Sequence, residues 1–181
     1  VTEADDGSEA RAHSDAVAAA RASIARAVAE LSAAGARDEA LGELLPERRV
    51  LGITRPPRMR ALGRVWRLGV LLLAVDGTLY EAGAVTRAVM PKRINVPSLS
   101  AEQRRALSAA AARGPFAEGE SVDFDAVPID LGELATSGTA GPLTVEASAV
   151  MVRWSASSAL VPLEAYLADR VDLLAHPPGG A

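Results

Sequence analysis

The stretch Arg64–Val89, RVWRLGVLLLAVDGTLYEAGAVTRAV, decides the fold class of this chain. A near-continuous apolar run, Leu68 to Ala74, leads to Asp76-Gly77 and then to a second β-prone run. Asp-Gly between two such runs predicts a β-hairpin closed by a two-residue type I′ turn. In that register Val75 faces Thr78, Leu73 faces Tyr80, Arg67 faces Thr86 and Trp66 faces Arg87. An apolar run without alternation predicts a central strand covered on both faces.

Outward from this hairpin, the segment PLTVEASAVMVRW (142–154) reads as a second one. It would bury Leu143, Val145, Val150, Val152 and Trp154. SVDFDAVPI (121–129) alternates as a single strand, with Val122 and Phe124 on one face and Asp123 and Asp125 on the other. Ser14 is placed to cap a long helix that ends at Gly35, with Val17, Ala20, Ile24, Val28 and Leu31 on one stripe. A short helix is expected over Arg37–Leu45, stopped by Pro46. Ser100-Ala-Glu-Gln103 has capping-box spacing and opens a helix running to about Arg113. Pro162 suits the first turn of a last helix, Leu163–Leu174. Residues 46–63 read as irregular because Pro56-Pro57 bars both helix and central strand. MPKRINVPSL (90–99) and the small-residue stretch 132–142 read as loops. Together these predict an α+β fold: a single domain over 14–175, with an antiparallel sheet of about five strands in two hairpins plus one. Helices stand at both ends and one between. A disordered acidic tail is expected at 1–13 and a loose tail at 176–181.

Composition narrows the chemistry. The chain has 181 residues, 49% apolar, and a net charge of -4. Two Trp, two Tyr and two Phe leave the core to aliphatic side chains. Cysteine is absent, which excludes disulfides, thiolate metal sites and thiol nucleophiles. The longest apolar run, Val70 to Val75, is far short of the roughly 20 residues of a membrane helix. With no signal-like N-terminus, a cytoplasmic protein without membrane contact is expected.

Charge is distributed unevenly. Residues 37–113 carry 14 basic and 7 acidic side chains, whereas residues 114–181 carry 2 and 10. Seven arginines fall within ERRVLGITRPPRMRALGRVWR (47–67): Arg48, Arg49, Arg55, Arg58, Arg60, Arg64 and Arg67. Guanidinium is always charged and grips planar oxyanions through paired hydrogen bonds. Arg58, Arg60, Arg64, Arg67 and Arg87 are therefore the candidate ligand-binding residues, for an anionic small molecule or an acidic protein surface. The competing reading is that the cluster is neutralised by the chain's own acids, among them Asp123 and Asp125. Exposed aromatics and lysines to interleave with the arginines are scarce, which argues against nucleic acid. Bipolar charge would also serve self-association into a homo-oligomer.

No catalytic residue can be assigned from motifs. Walker A, G-x-G-x-x-G, G-x-S-x-G, H-E-x-x-H and C-x-x-C patterns are all missing, so neither a cofactor nor a metal is expected. Asp123 and Asp125, at i and i+2, would need a third ligand to hold Mg²⁺ or Ca²⁺. His13 and His176 sit near the chain ends, where a general base lacks held geometry. The blocks RVWRLGVLLL, DGTLYEAG, VDFDAVPIDL and VPLEAYLADRVDLL together resemble a family of small uncharacterised actinobacterial proteins, some labelled glutaminase. The resemblance covers Ala16 to Leu174 and implies amide hydrolysis, but brings no catalytic residues with it. Lys92 is the one lysine, and Val89 stands where a Ser-x-x-Lys pair would put its serine. The leading expectation is thus a non-enzymatic anion-binding module. Self-association and hydrolysis of an amide, with Asp123 or Asp125 as base, are the alternatives.

Overall fold

A computed structural model describes residues 2–50, 52–91, 98–155 and 159–177. The fold is α+β with helices at both ends. The principal sheet has seven strands in the order β7-β8-β1-β4-β5-β6-β9: Ala84–Arg87, Ser121–Phe124, Glu39–Leu45, Arg58–Leu68, Leu71–Ala74, Leu79–Glu81 and Val127–Pro128. A four-stranded antiparallel sheet is formed by β10 (Thr139–Ala140), β11 (Leu143–Glu146), β12 (Ala149–Val152) and β13 (Val161–Pro162). β2 (Arg48–Val50) and β3 (Ile53–Arg55) make a separate ribbon. The helices are α1 (Thr2–Ala33), α2 (Leu99–Ala112), α3 (Leu131–Ser137) and α4 (Leu163–Ala175). The principal sheet is mixed, not antiparallel, because β1 runs parallel to β8, with Ala40 beside Val122 and Leu41 beside Asp123.

Packing divides the chain into two compact units: residues 1–37, 66–81 and 127–181 in one, 38–65 and 82–126 in the other. In the first unit, α1 packs against α3, α4 and β12 through Val17, Ala20, Ile24, Ala27 and Leu31; of the stripe expected from the sequence, Val28 is only partly buried and Ala27 takes its place in the core. Leu68, Leu71, Leu73, Leu79, Leu143, Val152, Leu163 and Val171 complete its core. Helix α1 starts at Thr2 instead of Ser14, since no proline interrupts residues 2–33 and alanine, the strongest helix former, recurs through them. At its other end Gly35 adopts φ +58°, and the Ala36 N–H bonds Leu31 O at 3.0 Å, a Schellman closure. Trp66 Nε1 donates to Ala36 O at 3.1 Å and locks that closure to β4.

The first hairpin forms, but shifted by one residue: Leu73 pairs with Leu79 and Leu72 with Tyr80. Its loop holds three residues, Val75-Asp76-Gly77. Gly77 N–H bonds Ala74 O at 3.0 Å, Ala74 N–H bonds Thr78 O at 2.9 Å, and Gly77 sits at φ +86°. This is a type I turn followed by a left-handed glycine, the usual three-residue alternative to type I′. Gly69, at φ +71°, ends β4, so the long ladder back to Trp66 is not built. Arg87 instead pairs with Ser121 and Thr86 with Val122. The second hairpin forms as expected, pairing Leu143 with Val152 and Val145 with Val150 around Ala147 and Ser148 at positive φ. Trp154 lies beyond it and is 47% exposed.

The second unit has a smaller core of Ala40, Met59, Ala88, Ala110, Ala111, Val122 and Phe124. Residues 39–45, expected as helix, are strand β1, because hydrogen bonding to β4 on one side and β8 on the other outweighs local propensity. Gly42 permits the close approach: a Cβ there would lie 2.9 Å from Val122 Cγ1 and 3.2 Å from Phe116 Cζ. Strand β4 begins at Arg58, directly after Pro56-Pro57, and runs 11 residues. Helix α2 is capped by Ser98, not Ser100, with Ser98 Oγ accepting from Ala101 N–H at 3.3 Å. In the first unit, residues 132–137 of the stretch expected as a loop belong to α3, which is capped by Asp130 Oδ1 accepting from Gly132 N–H at 2.7 Å. Residues 92–97 of the loop between Pro91 and Ser98, and 178–181 of the C-terminal tail, lie outside the described residues.

Candidate functional site

The β2–β3 ribbon sets Arg48 directly opposite Arg55. Like charges facing each other across a two-stranded pair repel, so this placement costs stability unless an anion lies between or beside them. Pro56 and Pro57 follow at once and fix the path into β4, whose first residue, Arg58, pairs with Leu45 at the end of β1. From the C-terminus of α2, Arg113 reaches back and donates from Nη1 to Pro57 O at 2.8 Å. That bond uses one of five guanidinium donors and aims the rest.

These four arginines line one cavity of about 370 Å³, together with Leu45, Pro46 and Pro56. Among the described residues no acidic side chain lines it, although Glu47 stands next to Arg48 in the chain. Arg48, Arg55 and Arg58 form no ion pair among the described residues. A second cavity, of about 480 Å³, is lined by Arg58, Met59, Arg60, Ala61, Arg113, Gly114 and Pro115. Arg58 and Arg113 are common to both.

The remaining candidates differ in their surroundings. Arg60 pairs with Glu43. Arg64 bonds Asp38 Oδ1 at 2.7 Å, Asp38 O at 3.2 Å and also Glu120. The Arg64 guanidinium holds the carboxyls of Asp38 and Glu120 below their ordinary range, chiefly through these hydrogen bonds, and its own pKa is raised in return. Glu120 is held further by accepting from Ala117 N–H at 2.9 Å. Arg87 is exposed, and its carbonyl accepts from Ser108 Oγ at 2.7 Å. Arg67 is half-buried and has an interaction of its own. Trp66 and Arg87, expected to face each other, do not pair, since Arg87 lies opposite Ser121. Of the five candidates Arg58, Arg60, Arg64, Arg67 and Arg87, only Arg58 lines the first cavity and only Arg58 and Arg60 line the second.

Asp123 does not lie on an exposed strand face. It is fully buried in β8, whereas Asp125 is exposed at φ +54° just past the strand end. Burial keeps the Asp123 carboxylate from any solvent-borne substrate. Among the described residues no three His, Asp or Glu side chains gather in a way that could hold a metal ion. His13 lies within α1 against Gly138, and His176 Nδ1 lies 3.1 Å from Asp172 Oδ1 on an exposed helix end. Among the described residues no helix is long and apolar enough to cross a membrane.

Sequence reasoning passes over Arg113, which is 55 residues beyond Arg58 and reads as a helix terminus. It gives Arg48 and Arg55 no priority within the run. Their ribbon was hidden because Pro56-Pro57 suggested irregular chain on both sides, when it only ends one strand and starts the next. No protein-family model, curated protein or solved structure matches this chain. The glutaminase activity implied by the resemblance therefore rests on the quoted sequence blocks alone.

Proposed function

We propose that this protein is a binding module for a small multivalent oxyanion, bearing phosphate or carboxylate groups, taken into the cavity of Arg48, Arg55, Arg58 and Arg113. The observation that carries this reading is the facing pair Arg48 and Arg55 in a cavity with no acidic lining among the described residues. An anion seated there offsets their repulsion and gains charge-assisted hydrogen bonds from planar forks. The apolar rim of Leu45, Pro46 and Pro56 lowers the local dielectric and strengthens those bonds. The chemistry is capture without a covalent step: the described residues of the lining are arginines, prolines and a leucine, which supply charge and shape.

Calorimetric titration with orthophosphate and citrate at low salt tests the proposal. Saturable binding is expected, and each of Arg48→Ala, Arg55→Ala and Arg58→Ala should weaken it by roughly 10- to 100-fold, the equivalent of about 1.5–3 kcal/mol for a hydrogen bond to a charged group. Affinity unchanged in all three variants, or no heat with either anion, would rule the assignment out.

A further inference from the structure

The two cavities of this unit share Arg58 and Arg113, and the second adds Arg60. Resting on the anion-binding reading above, we infer that together they form one groove for a linear oligophosphate chain, with Arg58 and Arg113 at its waist.

A single phosphate would need only one cavity. The guanidinium groups instead continue along the first residues of β4, from Arg58 to Arg60, beside Gly114 and Pro115 just past α2. A chain of phosphates presents a charged group at every repeat and so matches a row of arginines, whereas a compact polycarboxylate concentrates its charge in one place. Arg60 keeps one partner, Glu43, so at that end the ligand competes with a single exposed ion pair. Such a pair is worth only about 0–1 kcal/mol, too little to close the groove.

The same lining argues for a bare phosphate chain over a nucleic acid. Among the described residues neither cavity is lined by Phe, Tyr, Trp or His. Single-strand binding draws much of its affinity from bases stacked on such side chains. Met59, the largest apolar residue of the second lining, is buried and offers no platform. The other apolar components of the two linings, Leu45, Pro46, Pro56, Ala61 and Pro115, are aliphatic and offer no face for a base to stack on.

Titration of the full chain with orthophosphate, tripolyphosphate, long-chain polyphosphate and oligo(dT) tests the inference. Affinity per molecule should rise at least about tenfold from orthophosphate to tripolyphosphate and again for the long chain. Oligo(dT) of equal charge should bind at least about tenfold more weakly than polyphosphate. Arg60→Ala should leave orthophosphate binding as it is and remove the gain with length. Arg113→Ala should weaken every phosphate ligand, with circular dichroism confirming that each variant is folded. Equal affinity for orthophosphate and the longer chains would overturn the groove while leaving the single-cavity reading intact. Retention of the length gain in Arg60→Ala, or oligo(dT) binding as tightly as polyphosphate, would also overturn it. Failure of every anion to bind would remove both.

Discussion

Tyr166 shows how much one polar group can fix. Its hydroxyl donates to Leu68 O at 2.7 Å and accepts from Val70 N–H at 3.0 Å, closing both backbone groups that flank Gly69. Buried backbone groups left without partners cost about 1–3 kcal/mol. Tyr166→Phe should therefore lower the stability of the first unit by about that amount, as a reduced urea midpoint with an unchanged m-value. A midpoint equal to wild type would show that water replaces the hydroxyl. The tyrosine was legible only as a residue on the last helix. Its partners lie 98 and 96 residues away, and no local pattern announces such a bond. Arg113 was hidden for the same reason: its guanidinium is aimed by the Pro57 carbonyl, 56 residues distant.

At the level of elements, Arg64 on β4 joins the chain before β1, through Asp38, to the residue before β8, through Glu120. Both carboxyls are held below their ordinary range by that guanidinium, so the folded pKa of each is depressed. Such groups contribute stability that is present above the unfolded carboxylate pKa and is lost as pH falls through the folded value. Thermal melting of the wild type should decline as pH drops below the ordinary carboxylate range. Arg64→Ala should flatten that decline while lowering the melting temperature near neutral pH. An identical acid profile in the variant would mean that other carboxylates set the acid limit. The pairing also answers half of the question posed by the arginine run. Arg60 and Arg64 are engaged by acids of the same unit, whereas Arg48, Arg55 and Arg58 are left to the cavity.

For the molecule as a whole, the chain passes back and forth between its two units four times, and neither unit is a continuous stretch of sequence. Residues 127–181 supply nearly half of the first unit's core, including Leu134, Leu143, Val152, Leu163 and Val171. A fragment of residues 1–126 should therefore lose the cooperative unfolding of the first unit, seen by calorimetry as a missing heat-absorption peak. A fragment with the full transition would show that α1 and the first hairpin are sufficient. Net charge of -4 does not bring anions to the cavity from a distance; attraction there is local, from guanidinium groups within about one Debye length.

The α+β class, the helices at both ends, both hairpins, the glycine that closes α1 and the concentration of arginine are legible in the order of residues alone. Each of these follows from short-range facts: apolar periodicity, glycines at turns and at a helix end, and a proline at a helix start. Tertiary structure decided what depended on neighbours distant in sequence. It made residues 39–45 a strand because two other strands hydrogen-bond to them, and made the sheet mixed because one of those runs parallel. It also moved the first hairpin by one residue, since a three-residue loop with a left-handed glycine suits the strand twist as well as the two-residue turn. Above all, it separated the arginines held by Asp38, Glu43 and Glu120 from those lining the cavity, a division that depends on which side chains meet in space and not on their order along the chain.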